Sequence, residues 1–566
     1  MATRERIGLC LLLVVQAVML SVISWQTGPG RDEWGHLPSG LYTLQYGDHR
    51  PYCVNPPLTR LIAAFPVVAG GGGIEYEPLP NMTGLRSEGF LGLAYIVQQG
   101  ERVFTWMSIA RMGVIPIALF GTYLIWMLGR RLYGASSGLA AAVLWVFSPT
   151  VLTFGASITP DVSAAVFGLL AIWRFYIWLQ LGTWRHAVLF GVCLALAMLS
   201  KSTWIILPVV CVVFVFLGGW RRRRPWNLRR RATQFAASAV VTWIVIHACY
   251  DFRGVLQPLG SFSFTSSTLS GIPPTNSMSP ETGNRFAGTW LAALPVPLPA
   301  DYVYGIDIQR RDFDSGFVSY FLGEWRDHGW YHYYITAIFL KEPLALWLLA
   351  TLAWGNYYWS GSRGNGSRFS RTARWFLFAP GVAVLLLVSG HTGFNHHLRY
   401  VLPFFPAMYL LIARPMNHVT SRVRMACWLC LVWYAASSAS MLPRSYAFFT
   451  EAVGGAREGW RYLGDSNLDW GQDLLTAKQW CDQNPDKRPV YLVYSIDMID
   501  FKELGLDAEN GKPWMTRDGP TQPGWWIVFS RPLLEPGMRW FREHHPDIEL
   551  SVTTSVYKVT EVPEKR

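Results

Sequence analysis

Two adjacent carboxylates, Asp32 and Glu33, follow closely on an uncharged apolar run from Ile7 to Trp25. That run is about 19 residues, enough to span a bilayer as a helix. A carboxylate emerging within a few residues of lipid can take a proton from an acceptor hydroxyl as general base. On its own such a pair would be ordinary solvated loop charge. Here Trp34, His36, Tyr42 and Tyr46 surround it, which suggests the wall of an interfacial pocket. The same stretch continues to Asn55-Pro56-Pro57-Leu58. Asp161, directly after Pro160, opens an apolar helix, where it complements the helix dipole and could form a second acidic wall.

Cations come from other parts of the chain. His396, His397 and Arg399 lie between two apolar runs, with Tyr400 and Pro403 after them. At a helix start the macrodipole gives Arg399 no benefit, so it should answer an anion, and phosphate suits its fork of donors. Lys341, in Phe339-Leu340-Lys341-Glu342-Pro343, sits in an apolar run. An ionisable group there costs about 2.5–3.5 kcal/mol on insertion scales and is a functional candidate, with a Lys341-Glu342 pair or snorkelling as the plainer alternatives. Lys201, between Ser200 and Ser202 at a tight hairpin, raises the same question.

These residues must be positioned by membrane helices. The 566 residues are 51% hydrophobic and 15% charged, well below the quarter typical of soluble chains. Net charge is +12, but the arginines cluster in short loops: 130–131, 221–224 with 229–231, 363 to 374, and 422 with 424. That is the positive-inside pattern of a multispanning protein, and it argues against a nucleic-acid partner. About eleven spans are expected: 7–25, 103–128, 135–156, 161–181, 187–200, 203–219, 233–250, 333–357, 375–390, 400–416 and 426–443. With the N-terminus inside, every arginine-rich loop falls on the cytoplasmic side.

The extracytoplasmic segments are then 26–102, 251–332, a short 391–399 and the tail from about 444. The first carries a Gly70 to Gly73 hinge and an interfacial helix at 58–65. Residues 1–445 read as the membrane domain. Residues 446–566 read as a small α/β domain, with a helix at 473–483 and strands at 489–494, 525–529 and 551–557. Arg4 and Arg6 precede the first run, but its length and the poor cleavage site at Trp25-Gln26-Thr27 favour a retained helix over a signal peptide.

Several local patterns carry less. Asp465 to Asp473 resembles a calcium loop, yet position six is Trp470 and position twelve Thr476, so a capped helix start fits better than a metal site. Most of the eight cysteines fall in apolar runs, Cys427 and Cys430 among them; Cys53 and Cys481 would face an oxidising compartment, with their pairing open. Of two sequons, that at Asn81 lies on the outer side and that at Asn365 on the inner.

Taken together, the motifs resemble the GT-C superfamily of integral membrane glycosyltransferases. The branch most similar is family 39, which holds protein O-mannosyltransferases and the lipid A aminoarabinose transferase. The resemblance rests on Asp32-Glu33, Pro56-Pro57-Leu58, Thr159-Pro160-Asp161 and Arg399-Tyr400-Val401-Leu402-Pro403. Phe321 to Trp330 and Asp465 to Leu474 resemble blocks of bacterial members. The resemblance implies a multi-pass protein of GT-C type, expected in a bacterial inner membrane with its C-terminal domain extracytoplasmic. It implies sugar transfer from a polyprenyl-phosphate donor to a protein, lipid or glycan acceptor, without a required cofactor or metal.

Residue by residue, Asp32 matches the essential acid and Glu33 its partner. Arg399 matches a basic position near the donor phosphate, with Lys341, His397 and Lys201 as further candidates there. Asp161, His36, Asn55 and His396 are candidates for the pocket or acceptor side. Asn55 departs from the His or Lys usual before the two prolines, which removes a charged contact. A transporter or flippase of a lipid-linked or small polar substrate is the alternative, but the polar residues gather at one membrane face and not at midplane.

Overall fold

The structure, a computed structural model, describes residues 3–76, 86–219, 227–273, 281–359, 371–496 and 499–562. Both sequons and the arginines at 221–224, 363 and 368 lie outside the described residues. Every run expected to span is helical. Length and composition qualify four helices as spans: Thr3–Gln26, Arg102–Tyr133, Pro160–Leu181 and Arg229–Cys249. Two bent pairs, counted as one span each, raise that to six among the described residues. The shorter apolar helices are Leu58–Ala69, Trp184–Ser200, Ser202–Val215 and Trp375–Gly390. This is an integral membrane protein built on fewer straight spans than hydropathy suggests.

Proline explains the difference. The residue before a proline is pushed out of the helical region, so a continuous apolar run need not be a continuous helix. Ser148, before Pro149, is extended, and the Ala135–Val146 and Pro149–Gly155 helices meet at 60°. Glu342, before Pro343, is extended too, and Tyr333–Lys341 meets Leu344–Trp359 at 98°. The two breaks touch: buried Glu342 accepts hydrogen bonds from Ser148 at 3.1 Å, Tyr409 at 2.9 Å and Tyr434 at 2.6 Å. The run at 400–416 divides into a 3₁₀ turn, Leu398–Phe404, and a short helix, Phe405–Ala413.

Helix Arg102–Tyr133 packs against Thr3–Gln26, Leu58–Ala69, Ala135–Val146 and Pro160–Leu181, with Leu20, Ile125, Leu128, Trp145 and Val146 buried between them. The first loop folds as three helices, Glu33–Tyr46, Leu58–Ala69 and Glu88–Gln99, the second being the one packed on Arg102–Tyr133. The helix expected at the interface instead buries Thr59, Arg60, Ala63, Ala64 and Val67, although Phe65 stays 67% exposed. Gly40 allows the close approach, since a Cβ there would stand 2.5 Å from the Arg60 carbonyl oxygen.

The tail holds a five-stranded sheet in the order Glu509–Asn510, Val490–Val493, Gly524–Phe529, Thr554–Val559, Ile548–Ser551. The first three run parallel and the last two pair antiparallel. The single strand expected at 551–557 is in fact a hairpin, turning at Val552-Thr553. Composition shifts near 446, but packing is continuous across it. Trp34, Leu37, Leu91 and Tyr95 of the first loop share one apolar cluster with Leu474, Val490, Leu492 and Phe529 of the tail. Gly28 N–H donates to the Gln472 carbonyl at 2.7 Å and Arg31 N–H to Trp470 at 2.8 Å, so first loop and tail share one face of the molecule.

Candidate active site

A cavity of about 490 Å³ lies where the first loop, the membrane helices and the tail converge. Asp32, Asn55, Asp161, Lys201, His396, His397 and Arg399, named from sequence, all line it. Each is placed by a local break in the chain. Asp32 is the N-cap residue of Glu33–Tyr46, and Asp161 sits in the first turn of Pro160–Leu181 after extended Thr159. Lys201 ends Trp184–Ser200 in extended conformation, which lets the next 3₁₀ turn begin at Ser202 with no intervening loop.

The charged groups form an alternating chain. Arg399 donates to Asp32 at 2.5 Å and stands 3.7 Å from Asp161, while Lys201 pairs with Asp161 at 2.5 Å. Arg399, Asp161 and Lys201 are almost fully buried; Asp32 keeps 32% of its side-chain surface accessible, through the cavity it lines. The guanidinium of Arg399 also lies over the rings of Phe154, Tyr400 and Trp470. Its Nε and Nη1 make no hydrogen bond among the described residues. Burial alone would raise the Asp32 carboxyl, but Arg399 overcomes it and holds the group below the ordinary carboxylate range.

Neutral imidazoles flank this chain. His36 is 3% exposed; burial pushes it down to about 4, against the pull of Asp32. It lies beside the cavity and not among its lining residues, 3.3 Å from the Tyr52 hydroxyl, to which Asn55 donates at 2.8 Å. Burial, then Arg399, lowers His397 as well; its Nδ1 is 2.8 Å from Ser466 Oγ. His396 Nε2 lies 2.8 Å from the Val318 carbonyl oxygen.

Two expected site residues are placed elsewhere. Glu33 points away from the cavity into a buried lock with Arg111, at 2.9 and 2.5 Å. It also accepts from the Gly30 N–H at 2.7 Å and the Ile158 N–H at 2.8 Å, so all its oxygens are in use. Lys341 donates to the Tyr446 carbonyl at 2.7 Å and the Asn467 carbonyl at 2.6 Å and does not line the cavity. The two backbone carbonyls take up two of the three donors of its ammonium group.

Sequence reading overlooked several residues here. Arg111 stands in an apolar run as Lys341 does, so the cost of a charge in a span would have flagged it. Arg31, next to Asp32, lines the cavity, as do Arg86, Glu88 and Asp312, where Arg86 pairs with both acids. Nothing local marks those three; only the fold brings them together. Trp470 lines it too, its ring packed edge-on to that of His397 with the centroids 4.7 Å apart.

The calcium-like run is consumed by the tail itself, and among the described residues no group of three or more His, Cys, Asp or Glu could hold a metal ion. Arg531 Nε binds Asp465 at 3.1 Å, and Arg444 binds Asp473 at 2.8 Å. Asp473 does not cap its helix as expected; it accepts instead from Ser551, Thr553 and Thr554. Burial, with Asp473 nearby, raises Asp469 to about 7 despite the Gly471 N–H that it accepts. Cys53 and Cys481 are both free thiols.

Helices of membrane-spanning length and a small sheet thus meet at one cavity lined by paired acids and bases. The sequence family described as "Dolichyl-phosphate-mannose-protein mannosyltransferase" matches residues 93–250, less than half of the chain. The matched stretch carries Thr159-Pro160-Asp161, so over those residues the chain is similar to that family.

Among solved structures, ArnT from Cupriavidus metallidurans in the apo state is similar at 14% identity and a TM-score of 0.47, over 97% of this chain and 98% of that one. The apo oligosaccharyltransferase of Archaeoglobus fulgidus gives 11% and 0.44, over 87% and 62%. The arabinofuranosyltransferase AftD from Mycobacteria gives 12% and 0.41, over 99% and 40%. No curated protein sequence matches.

Proposed function

We propose that this protein transfers a sugar from a polyprenyl-phosphate carrier to an acceptor hydroxyl at the extracytoplasmic face of a bacterial inner membrane. The observation that carries the reading is a seam. An apolar groove of about 210 Å³, with Ile205, Ile206, Leu387 and Val388 in its walls, adjoins the polar cavity. Lys201, Gln309, Phe313 and Tyr400 line both. An amphipathic donor fits that junction: prenyl chain in the groove, phosphate at Lys201 and Arg399, sugar beside Asp32.

The chemistry follows from these positions. The acceptor oxygen attacks the anomeric carbon while Asp32 takes its proton, and the bond from that carbon to the phosphate oxygen breaks. Polyprenyl phosphate leaves with the electron pair, and Lys201 and the free donors of Arg399 meet the growing charge. Attack opposite the leaving group inverts the anomeric centre. Asp161 keeps Lys201 and Arg399 at their separation, and neutral His36 and His397 add no competing charge. The family match to a dolichyl-phosphate-mannose transferase supports a phosphoprenyl donor; the mannose it names is one candidate sugar.

The test is transfer of radiolabelled sugar from polyprenyl phosphate by the protein in detergent or nanodiscs. Asp32→Asn should lower kcat by about 10²–10⁴, with folding unchanged. Lys201→Met should weaken donor binding and leave acceptor binding alone. Unchanged transfer by Asp32→Asn, or solute flux without transfer, overturns the proposal.

A further inference from the structure

The second large loop carries an apolar surface that the active site does not use. On helix Leu228–Cys249, Ala236, Val240, Ile244 and Ala248 are exposed at every fourth residue, while Gln234, Ser238, Thr242 and Ile246 on the other row are buried. The helix is one of the candidate spans, so the exposed stripe faces lipid. The next position at that spacing is Phe252, beyond the helix end and 51% exposed. Phe252 and Leu256 have left-handed backbones, φ 54° and 52°. Bulky residues rarely accept that conformation, yet here it leaves Phe252, whose ring lies 6.4 Å from that of His247, and Leu256 about half exposed.

The returning chain widens the surface. Leu259 N–H donates to the Leu294 carbonyl and Val296 N–H to the Gln257 carbonyl, both at 2.9 Å, which sets Leu294 beside the turn. Leu294 is 44% exposed and Trp290 is 78% exposed. We propose that Phe252, Leu256, Trp290 and Leu294 form a wedge seated in the interfacial layer of the bilayer next to helix Leu228–Cys249. Continuity with a lipid-facing stripe selects lipid as the occupant, and Trp is the residue that layer favours.

The loop that carries the wedge is bonded to the cavity wall. Asp307 accepts four hydrogen bonds of 2.6–3.0 Å from Thr265 and Ser266, and its helix, Ala300–Ser315, supplies Gln309, Asp312 and Phe313 to the cavity wall. Seating in lipid therefore fixes that wall at the height from which a lipid-borne donor arrives, a link that rests on the proposed function.

Photo-cross-linking tests the wedge without any transfer assay, so its failure is separable from failure of the proposed reaction. The full chain, in nanodiscs of phosphatidylethanolamine and phosphatidylglycerol, would carry benzoylphenylalanine at 256, 290 or 294, or at exposed Glu281 as control. Mass spectrometry should find lipid adducts at the three wedge positions about tenfold above the control. Adducts no more abundant than at 281, or cross-links to a second copy or another protein in place of lipid, overturn the proposal.

Discussion

At the scale of single residues, two neighbours in sequence do opposite work. Asp32 opens on the cavity, whereas Glu33 is sealed against Arg111. Glu33→Gln or Arg111→Met leaves one buried charge without its partner and should cost about 3–5 kcal/mol. Thermal unfolding in detergent would show this as a large fall in midpoint, while Asp32→Asn, which leaves Arg399 beside Asp161, should show a smaller one. The pH response of Asp32 follows from its direction of shift. Its folded value lies below the ordinary 3.8, so its stabilising contribution is present above about pH 4 and vanishes as pH falls through the folded value. The profile of kcat/KM should accordingly show no acid limb from Asp32 above pH 5; an inflection near pH 6 would mean that another group is the base.

At the scale of elements, the X-Pro breaks at Ser148, Thr159 and Glu342 decide where the chain turns inward. Lys341 secures the last of these by gripping two carbonyls of the tail, each bond to a charged donor being worth about 1.5–3 kcal/mol. Lys341→Met should speed hydrogen exchange around 446–470 and reduce transfer several-fold, with the Arg399–Asp32 pair intact; unchanged exchange would show that the grip holds nothing. Most elements were legible from hydropathy and strand patterning. The bends were not, because an apolar window is blind to a proline that ends one helix and starts the next. The site was legible where a charge broke an apolar run or followed one, as at Lys201 and Asp32. Arg86, Glu88 and Asp312 could not be found that way, since the pairing of 86 with 312 is a product of tertiary folding alone.

At the scale of the whole molecule, first loop and tail behave as one folded unit resting on the membrane helices. Its pH response should carry the mark of Asp469, raised from 3.8 to about 7. The folded tail favours the protonated acid, so this contribution is full below about pH 4 and is lost as pH rises through 7. The midpoint for tail unfolding should fall over that interval, and Asp469→Asn should flatten the dependence; an unchanged slope would assign it to another group. The reach of Lys341 has a further consequence. Its carbonyl partners lie 105 and 126 residues later in the chain. During translation the ammonium group therefore lacks both partners until those segments have been synthesised. Closure of the cavity is thus a late event of biogenesis, and a nascent chain stalled before residue 446 would present quality-control proteases with a lysine lacking both of these partners.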